Sequence, residues 1–401
     1  MFYLSAYVLA TMFICAPAFA ERVRVRVARI NQPIFSLTGQ SLQIAGLPPL
    51  KDFAALRIAR SGSAGWIITD RDTNKLISRI TTPLLSIRGE MIRANLKSVP
   101  NQISISSRAS GTDIIADLDF EEYLAGVLPA EMPASWPLES LKAQAVAART
   151  YALFRKKQRE ADKARTFDLE SDVSDQMFAN PLGANRGLLT NVERALKETR
   201  GQTLRDRKGR LFATYFHADC GGRTEEARDV WGVGEKMGTT DDADCPLNPQ
   251  ASWILRVSQR DLGLKFSPAK KVSALSITEK SSSGRAASVQ ISWMDGTITS
   301  SAGNEFRQAL GYDRLKSTQF TISRDGLDYV FKGRGFGHGV GMCQWGARHM
   351  AKAGRSYLEI LKHYYSSAHI EGPESDPLAR QNNLDDKEGD RANNKQVAQF
   401  H

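Results

Sequence analysis

The feature that most constrains the fold is a change of period along the chain. From Arg22 to about Phe120 the apolar residues alternate or cluster in short β-branched runs: Arg22, Arg24 and Arg26 interleave with Val23, Val25 and Val27, and Trp66-Ile67-Ile68-Thr69 and Ile103-Ser104-Ile105-Ser106 recur between turn signals such as Ser110-Gly111-Thr112-Asp113. From Leu138 to about Arg159 the spacing becomes helical, with Leu141, Ala145, Ala148 and Ala152 on one face, Pro137 ahead of the first turn and Glu139 where the helix dipole favours an anion. A strand-rich segment followed by a long helix excludes an all-α bundle and an all-β barrel. The expected fold class is α+β, with a β-rich N-terminal region and a mixed helical and β region that carries a cleft. Further strands are expected at Leu211–Phe216, Val272–Ile277 and Ala287–Trp293, and a helix from about Ser356 to Tyr364.

The termini read differently from this body. Met1 to Ala20 has no charged residue and ends in Ala18-Phe19-Ala20, the small-x-small pattern of a secretory cleavage site; no Lys or Arg lies near Met1, so an uncleaved anchor is the competing reading. From Glu371 to His401 the chain is polar, rich in Asn and acidic overall, and cannot bury enough surface to order itself. The expected division is therefore 1–20 export signal, 21–118 β-rich region, 119–370 mixed helical and β region and 371–401 disordered tail. The 401 residues carry 54 Lys+Arg against 44 Asp+Glu, a net charge of +10. In an exported protein of the periplasm or cell-wall space, that charge suits an anionic glycan or lipid head group before nucleic acid. The basic face of Arg22, Arg24 and Arg26 is either part of such a surface or an ordinary solvated strand face.

Four clusters carry candidate chemistry. Glu131 lies among Leu128, Pro129, Met132, Pro133 and Trp136, and a carboxyl in apolar company has its pKa raised, as a general acid needs; a helix-end carboxylate accepting backbone N–H bonds is the alternative. Lys142 and Arg149 lie seven residues apart on one helix face, with small Ala145 and Val146 between them. In Gly333-Arg334-Gly335-Phe336-Gly337-His338-Gly339-Val340-Gly341-Met342-Cys343-Gln344-Trp345-Gly346, glycines at alternate positions fit neither dinucleotide nor P-loop spacing. They are expected to clear one face of a cleft for a ligand, with His338 near Glu131; a close-packed strand is the alternative. The fourth cluster, Tyr215 to Glu225, presents His217 and Arg223 around a Gly-Gly turn. In an oxidising compartment Cys220 and Cys245 are expected to form a disulfide, leaving Cys343 as the odd thiol. None of the six His lies in an H-E-x-x-H pattern and no C-x-x-C occurs, so no metal and no cofactor is expected. The absence of G-x-S-x-G argues against a serine hydrolase.

Taken together these clusters resemble the stage II sporulation protein D and amidase enhancer (SpoIID/LytB) family. The matching runs are Tyr123-Leu124-Ala125-Gly126-Val127-Leu128-Pro129-Ala130-Glu131-Met132-Pro133, Leu141-Lys142-Ala143-Gln144-Ala145-Val146-Ala147-Ala148-Arg149-Thr150-Tyr151, Cys220-Gly221-Gly222-Arg223-Thr224, Ser283-Gly284-Arg285, and Gly335 to Ala347, spanning about Leu84 to Ile370 in the family's order. The resemblance implies a peptidoglycan lytic transglycosylase acting on glycan strands without stem peptides. Glu131 would be the acid and base, while Lys142, Arg149, His217, Arg223, His338 and Gln344 would bind substrate. It also implies a second reading, a non-catalytic wall-binding partner of a cell-wall amidase. Sporulation-type members often carry Cys and His before a Gln in the middle segment, a pattern associated with zinc. Here that stretch is Asp168-Leu169-Glu170-Ser171-Asp172-Val173-Ser174-Asp175-Gln176, with neither residue, so no zinc is expected there.

Overall fold

A computed structural model describes residues 21–372 apart from 51, 63, 109–110, 181–185, 233–238, 243–244, 246–247 and 249–250. The expected export signal, 1–20, and the tail beyond 372 lie outside the described residues. Strands β1 (Arg22–Ile30), β2 (Ile34–Ile44), β3 (Phe53–Ser61), β4 (Gly65–Asp70), β5 (Leu76–Thr81), β6 (Leu84–Ala94), β7 (Lys97–Ser98), β8 (Gln102–Arg108) and β9 (Gly111–Asp119) come first. Helices α1 (Phe120–Glu131) and α2 (Leu138–Arg159) follow, then β10 (Leu169–Glu170), α3 (Arg186–Glu198), β11 (Thr203–Arg205), β12 (Phe216–His217) and α4 (Ala227–Trp231). The remainder runs β13 (Ser252–Ser258), α5 (Gln259–Phe266), β14 (Val272–Lys280), β15 (Ala286–Trp293), β16 (Ile298–Ala302), α6 (Gly303–Leu310), β17 (Phe320–Asp325) and β18 (Asp328–Arg334), and then β19 (Met342–Cys343), α7 (Gln344–Lys352), α8 (Tyr357–Tyr364) and β20 (His369–Glu371). The fold is α+β, as the change of period requires.

The N-terminal strands form one sheet in the order β10-β1-β9-β8-β6-β2-β3-β4-β5, with β7 paired to β6. In β1 the alternation does what period two demands: Val23, Val25 and Val27 are buried, and the arginines face out. That basic face is neutralised within the chain. Arg22 pairs with Asp117 at 2.8 Å, Arg24 with Asp168 at 2.6 Å, and Arg26 with Glu170 and Asp113.

Helix α2 has the bounds its sequence predicts, but its burial is wider than one face, running without a break from Leu141 through Ala152 apart from Lys142. Alanine-rich and enclosed by α1, α3, α7 and α8, it is a central helix, and small side chains let its neighbours approach closely. One core joins the N-terminal sheet, α1, α2, α7 and α8, so packing does not break at the expected boundary of 118. A second core, built on Trp253, Val289, Ile291, Phe306 and Phe331, lies in residues 253–331 between the sheets β13-β18-β17 and β14-β15-β16.

Two expectations need correction. The strand expected over Leu211–Phe216 is paired only at Phe216–His217, parallel to β19. Upstream polar groups go elsewhere: Thr214 Oγ1 donates to the Ala147 carbonyl of α2, and the Tyr215 carbonyl takes the Tyr365 hydroxyl. Glu371, expected to open the tail, is paired instead: β20 pairs with β11 through it.

Candidate active site

Glu131 ends α1. Asp119 caps the helix by accepting the Glu121 N–H, and at Met132 the backbone turns extended, with Pro133 next to forbid another helical turn. The Glu131 carboxyl takes the Met177 backbone N–H on Oε1 at 2.7 Å and faces Gln344 Nε2 at 3.5 Å from Oε2. Burial raises its pKa above the ordinary carboxylate value, and these two donors only partly offset the rise.

The Met177 N–H is placed by a segment strapped across three elements. Asp168 accepts the Arg24 N–H at 2.8 Å, and β10 pairs in parallel with β1 at Val25↔Leu169. Asp175, whose side chain is fully buried, pairs with Arg155 at 3.0 Å and Arg159 at 2.6 Å and accepts the Glu170 N–H at 2.8 Å. Gln176 accepts the buried Tyr123 hydroxyl at 2.8 Å and donates to the Ala148 carbonyl at 3.2 Å. The Phe178 ring stacks on Tyr123 with centroids 5.7 Å apart, and the Ala179 N–H reaches the Gly126 carbonyl at 3.1 Å. Only glycine fits at 126: a Cβ there would lie 2.4 Å from the Phe178 ring and 2.6 Å from the Ala179 carbonyl oxygen.

On the opposite side, Gln344 opens α7 and is buried. Trp345 beside it meets Trp136 edge-on at 5.4 Å, and the Arg348 guanidinium lies over both rings, at 4.7 Å from Trp345 and 5.4 Å from Trp136. Both rings are half-buried, and Met177, whose N–H holds the carboxyl, is exposed. The site thus offers a protonatable oxygen and fixed donors, a set suited to general acid–base work.

Of the residues expected to bind substrate, only Gln344 joins Glu131. Lys142 is held between Glu139 at 2.9 Å and Glu198 at 2.5 Å, above the Tyr357 ring. Arg149, 2% exposed, makes a bidentate pair with Glu121, both bonds 2.8 Å, and donates to the Gln202 carbonyl. Shared helix face did not make these two cations available, because acids on neighbouring elements take them. Arg223 bonds Thr239 and pairs with Asp241 across its own loop. His217 is buried against the Val340 carbonyl at 3.0 Å, and burial with the nearby Arg285 charge lowers its pKa to about 3. His338 accepts the Val340 N–H at Nδ1 and packs among His217, Trp231 and Tyr215; no hydrogen bond or ion pair links it to Glu131 among the described residues.

The glycine-rich segment is close-packed rather than cleared for a ligand. Gly339 and Gly341 have φ of +87° and +71°, and a Cβ would come within 2.7 Å of Arg285 at the first and 2.0 Å of the Tyr215 carbonyl oxygen at the second. The Cys220–Cys245 disulfide is not formed: Cys220, Cys245 and Cys343 are all free and buried. Their sulfurs converge with the Asp242 carboxylate, all within 4.8 Å of one another, an arrangement of possible metal ligands that no local spacing in the sequence announces. Sequence reasoning also missed the Met177 N–H and its support from Asp175 and Gln176; Gly126, inside the matching run and out of place in a helix, was the available signal.

Residues 108–205 match a protein family described as Stage II sporulation protein, and residues 252–341 match a domain of unknown function. The chain is 37% identical over 263 residues to an uncharacterised protein of Brachyspira hyodysenteriae, covering 64% of this chain and 68% of that one. It is 31% identical over 356 residues to the Amidase enhancer of Bacillus subtilis, covering 69% of this chain and 48% of that protein, and 29% identical over 288 residues to Stage II sporulation protein D of the same organism, covering 69% and 80%. The chain belongs to the SpoIID/LytB family. The family match spans Glu131, the strapping segment and Arg149, while the glycine-rich end of β18 lies in the second matched region. This SpoIID/LytB chain spans about half the length of the Amidase enhancer it matches. Among its described residues no helix is long and apolar enough to cross a membrane.

Proposed function

We propose that this chain acts on the bacterial cell wall as a lytic transglycosylase, with Glu131 as the single acid and base and peptidoglycan glycan strands without stem peptides as substrate. The reading rests most on one observation: a carboxyl whose pKa is raised by burial, yet which is met on both oxygens by donors at 2.7 and 3.5 Å. Protonated Glu131 gives its proton to the glycosidic oxygen as the bond from C1 to that oxygen breaks. The carboxylate so formed then takes the proton of the muramic acid 6-hydroxyl as its oxygen bonds C1, closing a 1,6-anhydro ring and regenerating the acid. One carboxyl suffices, whereas hydrolysis of the lysozyme type requires a second at a set separation. The Met177 N–H stabilises the carboxylate of the intermediate stage and holds Oε1, leaving Oε2 as the oxygen that exchanges the proton. Such work requires export, for which Met1 to Ala20 is the signal.

The 31% identity to a protein named Amidase enhancer favours a second reading, a wall-binding partner of an amidase without chemistry of its own. Mass spectrometry of denuded glycan after incubation with purified protein separates the two. Anhydro-ended fragments from wild type and none from Glu131→Gln are expected; wild type that binds glycan and releases nothing would refute the enzyme.

A further inference from the structure

The buried sulfur cluster is built from three stretches of chain and includes none of the groups bonded to Glu131. Cys220 follows β12, Asp242 and Cys245 belong to the loop before β13, and Cys343 caps α7. Cys343 Sγ lies 3.4 Å from Cys245 Sγ, and Cys220 Sγ lies 3.4 Å from Asp242 Oδ2. A tetrahedral zinc ion with bonds of about 2.3 Å to sulfur and about 2.1 Å to oxygen sets ligand separations of about 3.8 and 3.6 Å. These two separations are within a few tenths of an ångström of that shape, and all four ligand atoms lie within 4.8 Å of one another. All three cysteines are fully buried and Asp242 is 2% exposed.

The backbone surroundings suit thiolates rather than a disulfide, while the buried Asp219 carboxyl, 3.0 Å from Cys245 Sγ, adds a second acid beside the cluster. Backbone N–H groups converge on sulfur: Gly222 on Cys220 at 3.3 Å, and Cys220 and Gly346 on Cys343, each at 3.3 Å. Such donors favour charged sulfur over a disulfide, whose sulfurs accept poorly. A disulfide would consume two of the three cysteines and leave the third buried beside a carboxylate. Asp242 is oriented in turn, taking the Tyr364 hydroxyl at 2.7 Å and the Cys245 N–H at 3.2 Å. Gly346 has to be glycine for the carboxylate to be there, since a Cβ would stand 2.2 Å from Asp242 Oδ2. Three thiolates, one carboxylate and one zinc ion leave a doubly negative buried centre, which needs a cation nearby. Arg285, 1% exposed, donates to the Cys220 carbonyl at 2.6 Å, and its Nε and Nη1 have no hydrogen-bond partner among the described residues.

We propose that Cys220, Asp242, Cys245 and Cys343 bind one structural zinc ion, each thiol giving up its proton as the metal enters. The site closes four ligands around the ion and leaves no position for substrate, so its work is to pin the loop before β13 and the start of α7 to one another. Gln344 is the next residue after a ligand, so the ion fixes the group that faces Glu131 from 3.5 Å. The assignment does not depend on which reaction Glu131 performs.

The test is the metal content and thiol count of the full chain, purified without a metal-affinity tag and kept reduced. About one zinc per chain is expected, with all three thiols slow to react until a chelator and denaturant are added. Cys245→Ser and Cys343→Ser should each retain below about a tenth of the metal, whereas Glu131→Gln should retain it all. The wild-type measurement stands even if a cysteine variant fails to fold. Wild type that takes up no zinc after dialysis against it, whether with three reactive thiols or with one thiol and a disulfide, overturns the proposal. Zinc retained in full by both folded cysteine variants overturns it as well.

Discussion

Replacing Gly126 by Ala tests whether the Met177 N–H is placed by close contact between α1 and the segment strapped across it. In an open helix this exchange gains about 1 kcal/mol from propensity. Here the added Cβ would lie 2.4 Å from Phe178 Cε2 and 2.6 Å from the Ala179 carbonyl oxygen, where carbon contacts settle at about 3.5–4.0 Å. Neither neighbour yields easily: the ring is stacked on Tyr123 and Ala179 is bonded to Gly126 itself. Relief requires a shift of the segment by about 1 Å, at an overpacking cost of about 1–3 kcal/mol. Set against propensity, the net loss of stability should be at most about 2 kcal/mol. Activity should suffer more, since Met177 precedes the displaced ring and a misplacement of about 1 Å can cost about a hundredfold in rate. Urea unfolding and glycan turnover on the same preparations measure both. A variant that is more stable by the full propensity gain, or that turns over at the wild-type rate, would refute the argument.

Glu131→Gln should be the more stable protein at alkaline pH and lose that advantage on acidification, as read by chemical denaturation. The carboxyl is held above its unfolded value, so its contribution to folding is intact below the unfolded pKa and is lost as pH rises through the folded one; an advantage that grows instead toward low pH would contradict this. Gln344→Ala removes a donor that holds the Glu131 pKa down, so the alkaline limb of the pH–rate profile should move to higher pH; a shift to lower pH would reverse the assigned role. Asp175→Asn leaves Arg155 and Arg159 without their shared buried partner and should cost about 3–5 kcal/mol in unfolding free energy, a loss below about 1 kcal/mol marking the pairs as dispensable. Gly339→Val forces a β-branched residue to φ +87° against Arg285 and should lower the melting temperature sharply; unchanged melting with lost cleavage would restore the open-cleft reading.

What the sequence revealed follows how local each signal is. Helix α2 is legible to the residue because Pro137 marks its start and Lys156, Lys157 and Arg159 its last turn. β1 is legible from alternation, and β14 and β15 from their β-branched runs. Helix α1 is not, because Gly126 and Pro129 interrupt it; glycine is there for Phe178, and Pro129 for reasons the helix itself does not explain. Glu131 stands out by its apolar company, whereas Met177 contributes an N–H that every residue but proline carries. Helix arithmetic places Lys142 and Arg149 on one face but does not see Glu198 and Glu121, which pair with them. The sulfur cluster joins residues 123 positions apart, and no local spacing pattern signals it.

The separation of Glu131 from Gln344, 213 residues, has a consequence in time. A ribosome adding about 5–20 residues per second delivers the acid at least about ten seconds before the residue that faces it. During that interval α2 has no α7 or α8 to enclose it, and the alanine surface that later accepts them is bare. Premature termination or proteolytic loss anywhere ahead of α7 leaves a chain with its carboxyl in hand and its setting unfinished. Competence is therefore one of the last properties the molecule acquires, and one of the first that trimming from the C-terminal side takes away.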